Sequence, residues 1–183
     1  MAKTNIVLVG FMGTGKTAVA QKIADILKMY YLDVDNLIEE REQRKIVDIF
    51  AASGEEYFRK VERAIVSDIS KKENLVAACG GGVVLNKANM DNLHRNGIII
   101  CLSARPEIIL ERTADYRHRP LLNVADPLKQ VKQLLEKRAR YYAQADVTID
   151  TSDLSIDQVI EQILAIGGVR SMIKNGMQPQ NHG

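Results

Sequence analysis

Residues Gly10-Phe11-Met12-Gly13-Thr14-Gly15-Lys16-Thr17 fit the spacing G-x-x-x-x-G-K-[ST] at every fixed position. The octet follows an apolar run, Asn5–Val9, and opens an amphipathic stretch, Lys16–Lys28, with Val19, Ile23 and Ile26 on one face. A glycine-rich loop between strand and helix turns backbone N–H groups inward, and the helix N-terminus adds its positive end. Both favour phosphate. The pattern predicts that Lys16 reaches the β- and γ-phosphates of a nucleotide and that the Thr17 hydroxyl ligates Mg²⁺. Ordinary residue frequencies would produce such an octet on the order of 0.01 times in a chain of this length.

The rest of the chain alternates short apolar runs with longer helical patterns. Strands are expected at Asn5–Val9, Tyr30–Asp33, Leu75–Cys79, Ile98–Leu102 and Val147–Asp150. Helices are expected at Lys16–Lys28, Ile46–Ala52, Glu55–Lys71, Lys87–Asn96, Pro106–Arg112, Pro127–Tyr142 and Ser155–Ile166. Five strands separated by helices imply right-handed crossovers and one parallel α/β sheet. A ligand then sits beyond the carboxyl ends of the strands. At 183 residues and 46% hydrophobic, the chain suits a single globular domain. The stretch from Gly167 to Gly183 reads as a flexible tail, because Gly, Asn, Gln and Pro replace the apolar periodicity there.

Charge narrows the partners. Twenty-five basic residues against 23 acidic ones leave +2, which argues against a nucleic-acid or membrane-surface binder. The balance is uneven along the chain: Ala104–Tyr142 holds nine basic and five acidic residues, a segment suited to anionic ligands. No run is long enough for a signal peptide or membrane span, so a cytoplasmic protein is expected. Cys79 and Cys101 lack metal-site spacing and read as free buried thiols.

Two further motifs fall at strand ends. Asp33-Val34-Asp35 closes the second strand, where residues two apart face the same way. One carboxylate could serve Mg²⁺ through water and the other accept a hydroxyl proton; alternatively, Asp35 caps a helix over Asn36–Arg41. Cys79-Gly80-Gly81-Gly82 closes the third strand and either exposes backbone donors to a ligand or forms a plain flexible turn. No N-K-x-D guanine-reading segment is present.

Together these residues resemble the shikimate kinase family of small phosphate-loop kinases over about Ile6 to Ser152. Besides the loop, the resemblance runs through Leu32–Asp35 with Ile38-Glu39, Ile46–Phe50, Gly54-Glu55, Phe58-Arg59 and Glu62. It continues with Gly80–Gly82, Arg119-Pro120-Leu121-Leu122, Lys137-Arg138 and Tyr142. It implies ATP-dependent phosphorylation of the 3-hydroxyl of shikimate, on the route to chorismate and aromatic amino acids. It also implies an α/β fold of the P-loop NTP hydrolase type, a five-stranded parallel sheet in order 2-3-1-4-5. One domain over 1–167 would carry a substrate-binding helical segment near 34–62 and a lid near 112–125. A monomer is expected, with residues 168–183 as the flexible tail.

By the same resemblance, Gly13, Thr14, Gly15, Lys16, Thr17 and Ala18 would cradle the ATP phosphates. Thr17 and Asp33 would hold Mg²⁺, Asp33 through water. Asp35 would orient or deprotonate the attacking hydroxyl, while Arg59 and Arg138 would grip the substrate carboxylate. Gly80, Gly81 and Gly82 would offer backbone donors to the ring hydroxyls, Phe50 and Phe58 would wall the pocket, and Glu62 would fix Arg59. Arg112 and Ser152 would lie on the adenine side, and Arg119 would reach the transferring phosphate. Lys16, Asp35 and Arg119 are thus the catalytic set.

Physical chemistry supports this division. Guanidinium forks match a planar carboxylate and stay charged. Arg59 and Glu62 stand three apart on a helix, within reach of an ion pair. Two positions depart from the family pattern: Cys79 precedes the glycines, and Arg140 follows the substrate arginine where proline is common. The rival readings are another small-metabolite kinase of the gluconokinase type, which lacks this combined motif set, and a non-catalytic nucleotide-binding regulator.

Overall fold

The computed structural model describes residues 3–114 and 124–176. Five strands, β1 (Asn5–Val9), β2 (Tyr30–Asp33), β3 (Leu75–Ala78), β4 (Gly97–Ser103) and β5 (Val147–Asp150), form one sheet in the order β2-β3-β1-β4-β5. Every pairing is parallel. All five residues of β1 and all four of β3 are buried, as the unbroken apolar runs require when helices cover both faces. Alternation divides these strands between two cores. Val7, Val9, Ala77, Ile99 and Cys101 point to one face, and Ile6, Leu8, Val76, Ile98 and Ile100 to the other.

The first face is covered by α3 (Ile46–Ile69), α4 (Lys87–His94) and α6 (Pro127–Tyr142). The second is covered by α1 (Lys16–Leu27), α7 (Ile156–Ala165) and α8 (Gly167–Gly176). Two further helices, α2 (Val34–Glu42) and α5 (Pro106–Thr113), complete the described elements with a 3₁₀ turn at Val83–Leu85. A capping box between Ser155 and Gln158 starts α7. The two expected helices after Ile46 join as α3 but meet at a kink, Gly54, whose φ of 76° suits glycine.

The tail reading needs correction. Residues 167–176 form α8, with Val169 fully buried and Met172 and Ile173 packed on the second core. Apolar residues at 169, 172 and 173 make a short helical stripe that the surrounding Gly and Asn obscure. Residues 177–183 lie outside the described segments. Cys79 and Cys101 are free and buried. None of the described helices is long and apolar enough to cross a membrane.

Candidate active site

The carboxyl ends of β1, β2 and β3 open into a cavity of about 480 Å³. Its nucleotide side is the loop between β1 and α1. Gly10 passes so close to β4 that a Cβ there would overlap the Leu102 carbonyl. The loop is braced from within, because the Thr14 hydroxyl and Lys16 Nζ both donate to the Phe11 carbonyl, at 2.8 and 2.7 Å. Gly13, Gly15, Lys16, Thr17 and Ala18 line the cavity, whereas the Thr14 side chain is turned inward and 1% exposed.

Asp33 and Asp35 both line the cavity, as two carboxylates pointing into one site should, but they do not share a strand and Asp35 is not the cap. Asp33, not Asp35, caps α2: its Oδ1 accepts from the N–H groups of Asp35 and Asn36 at 2.9 and 3.2 Å. The helix begins at Val34, so Asp35 reaches the cavity from the first helical turn rather than from a strand. The cause is local, since a side-chain oxygen one residue before a helix satisfies the orphan N–H groups there. Asp33 Oδ2 faces Thr17 Oγ1 at 3.4 Å and accepts from the Tyr31 hydroxyl at 3.2 Å. Burial first, and then the Asp33 charge, push the Tyr31 phenol up to about 12.

The glycine triplet faces two of the expected side chains. A Cβ on Gly80 would stand 2.6 Å from Asp35 Oδ1, and one on Gly82 would overlap the Arg59 guanidinium. Arg59 donates through Nη1 to both oxygens of Glu62 at 3.0 Å, and through Nε and Nη2 to Glu55. Its guanidinium also lies 5.1 Å from the Phe58 ring centroid. Burial raises the Glu62 carboxyl above its ordinary value, and Arg59 pulls it back. Phe50 and Phe58 stack at 4.7 Å and both line the cavity; Phe58 is buried, and Phe50 stands at the exposed edge.

Arg138 projects from α6 into the cavity with its guanidinium 5.7 Å from the Phe11 ring centroid. It also hydrogen-bonds Tyr142, whose hydroxyl donates to the Gly81 carbonyl at 2.8 Å. Arg140 stays away from this site. Its guanidinium bonds the Tyr141 hydroxyl at 2.8 Å and lies over that ring, and α6 runs unbroken through the position. Cys79 lines the cavity as a buried thiol, and burial raises it far above its ordinary value, so it stays protonated.

Of the residues expected on the adenine side, Arg112 donates to the Thr151 hydroxyl and carbonyl at 3.0 and 2.7 Å. Thr151 also reaches the Thr14 carbonyl at 3.3 Å, tying α5 to the phosphate loop. The Ser152 hydroxyl is occupied by Asp150 and by the Arg105 N–H, and its residue does not line the cavity. Arg119, with most of the expected lid, lies outside the described residues. Met12 of the loop octet, Ile46 of the Ile46–Phe50 motif and Thr113 also line the cavity, with Thr151 behind it. Sequence reasoning gave none of the four a role of its own.

The shikimate kinase family profile matches residues 12–166. A shikimate kinase of Caldanaerobacter subterraneus subsp. tengcongensis is 49% identical over 160 residues, covering 87% of this chain and 94% of that protein. One from Thermoanaerobacter pseudethanolicus is 46% identical over the same coverage. The solved structure of shikimate kinase from Acinetobacter baumannii in complex with shikimate has a TM-score of 0.85 at 33% identity, covering 96% of each chain.

Proposed function

The chain belongs to the shikimate kinase family, and from that membership we propose how its own residues divide the work. The enzyme is a kinase that phosphorylates shikimate with ATP. The acceptor is the 3-hydroxyl. Asp35 orients that hydroxyl and takes its proton as the oxygen attacks the γ-phosphorus. Arg59 and Arg138 hold the substrate carboxylate from two helices, with Glu62 restraining Arg59 and Tyr142 restraining Arg138. Backbone groups of Gly80–Gly82 meet the ring hydroxyls, and Phe50 and Phe58 wall the ring. This substrate segment spans about residues 34–62.

On the nucleotide side, the loop amides and Lys16 hold the phosphates, and Arg112 lies along the adenine. Arg119 brings its charge to the γ-phosphoryl oxygens as the bond to the β-phosphate loosens. Thr17 Oγ1 and Asp33 Oδ2 offer hard oxygen donors 3.4 Å apart beside the phosphate loop, a donor set that fits Mg²⁺ together with nucleotide phosphates. When bound, Mg²⁺ neutralises charge on the β- and γ-phosphate oxygens.

One observation carries the reading: Gly80 makes room for Asp35 and Gly82 for Arg59, so a proton acceptor and a carboxylate clamp share one glycine floor. A coupled assay of ADP formation with shikimate, quinate and gluconate tests it. Shikimate should stimulate turnover far above the other two. Equal turnover with and without shikimate would overturn the reading, and a preference for gluconate would reinstate the rival kinase.

A further inference from the structure

We propose that the Tyr31 hydroxyl is a positioning group for the Asp33 carboxylate, aligning the oxygen that faces the divalent cation. The inference rests on the assignment of Asp33 to that cation. It begins with the two ends of the carboxylate. Oδ1 is fixed by the N–H groups of Asp35 and Asn36 at the start of α2. The two oxygens turn together about the soft Cβ–Cγ bond, so a third donor on Oδ2 narrows the rotation that the two bonds to Oδ1 still allow. Oδ2, the oxygen facing Thr17, is the one that Tyr31 reaches at 3.2 Å.

The strand makes that reach possible. Tyr31 and Asp33 are two residues apart on β2, so their side chains leave the same face of the sheet. The Tyr31 ring packs against the second core, and phenylalanine would serve that packing equally. What phenylalanine lacks is the hydroxyl that meets Oδ2. Gln21 of α1 hydrogen-bonds the same hydroxyl. A relay Gln21–Tyr31–Asp33 therefore links the helix that follows the phosphate loop to the cation-facing carboxylate. Outer partners of this kind orient a ligand and sharpen its affinity for the ion.

The test is Tyr31→Phe beside Asp33→Asn, with Mn²⁺ binding in the presence of ADP followed by electron paramagnetic resonance. Tyr31→Phe should weaken Mn²⁺ about tenfold, the lower end of losses for outer partners, since Oδ1 keeps both backbone donors. The Mg²⁺ concentration for half-maximal turnover should rise in step, and added Mg²⁺ should recover the lost rate. Shikimate KM and metal-free ADP affinity should not move. Unchanged Mn²⁺ binding in Tyr31→Phe, with binding lost in Asp33→Asn, would overturn the inference alone. Unchanged binding in Asp33→Asn would overturn the cation assignment on which it rests. A fall in metal-free ADP affinity and Tm together in Tyr31→Phe would make the hydroxyl structural and also overturn it.

Discussion

Arg59 donates through one nitrogen to both oxygens of Glu62, each at 3.0 Å, and the Glu62 side chain is 1% exposed. Arg59 sits at the cavity wall while its partner is sealed beneath it, so the pair fixes a cavity-facing cation from the protein side. Burial raises the Glu62 carboxyl. The folded protein therefore holds the Glu62 proton more tightly than the unfolded chain does. The stability arising from that proton is fully present below the ordinary carboxylate value. It declines as pH rises through the raised folded value. The tie to Arg59 strengthens over the same window, as the carboxylate ionises. Shikimate KM should thus fall as pH rises through it. Glu62→Gln should raise KM and flatten this acid limb, as steady-state kinetics across pH would show. It should also destabilise the fold on the order of 1–3 kcal/mol in urea unfolding, because Arg59 keeps Glu55 and some solvent.

Gly80 abuts Asp35 and Gly82 abuts Arg59, so on the proposed division of labour changes at the two glycines should have different effects. Gly82 has φ of −97°, a conformation any residue adopts, so alanine there meets no backbone strain, only the Arg59 guanidinium. Gly82→Ala should fold with little change in Tm and raise shikimate KM. Gly80→Ala should instead push Asp35 aside and lower kcat. If the two variants show the same KM-against-kcat pattern, the assignment of the two glycines fails.

Asp35 and Arg138 should divide in the same way. Asp35→Asn keeps the shape but removes the proton acceptor, so kcat should fall by about 10²–10⁴, the usual worth of general-base catalysis. Arg138→Ala should mainly weaken shikimate binding and leave ATP KM unmoved. Calorimetric titration with shikimate separates the effects, and equal shikimate affinity for wild type and Arg138→Ala would contradict the second role.

Arg112 ties α5 to Thr151, and Thr151 touches the phosphate loop at Thr14. Arg112→Ala should raise ATP KM with shikimate KM unchanged. Thr151→Val removes the shared hydroxyl while leaving the arginine, and should give a smaller shift in the same direction. An effect on shikimate KM alone would contradict both expectations.

Local patterning carried much of the fold. The phosphate loop, all five strands and most helices were readable because each depends on neighbours within a few residues. Strand order was not readable from periodicity, since an apolar run buried on both faces does not name its partner; it came through the family resemblance and agrees with the structure. The α8 stripe was missed because three apolar residues among Gly and Asn resemble a tail. Asp35 was anticipated as important but mounted on the wrong element, because Asp33 took the cap. Tyr31 drew no attention, as its hydroxyl gains meaning only beside Asp33.

The sequence by itself marked a loop built for phosphate and two aspartates at a strand end, and through the family resemblance it named a glycine triplet and arginines on later helices as expected site residues. Only the tertiary structure decided which of them meet. In the parallel register of β2 with β3, Asp33 lies opposite Ala78. The residues just beyond each strand, Asp35 and Gly80, therefore emerge side by side. Hydrogen bonding between strands 45 residues apart in the chain sets that neighbourhood. Separation along the chain carries no record of it.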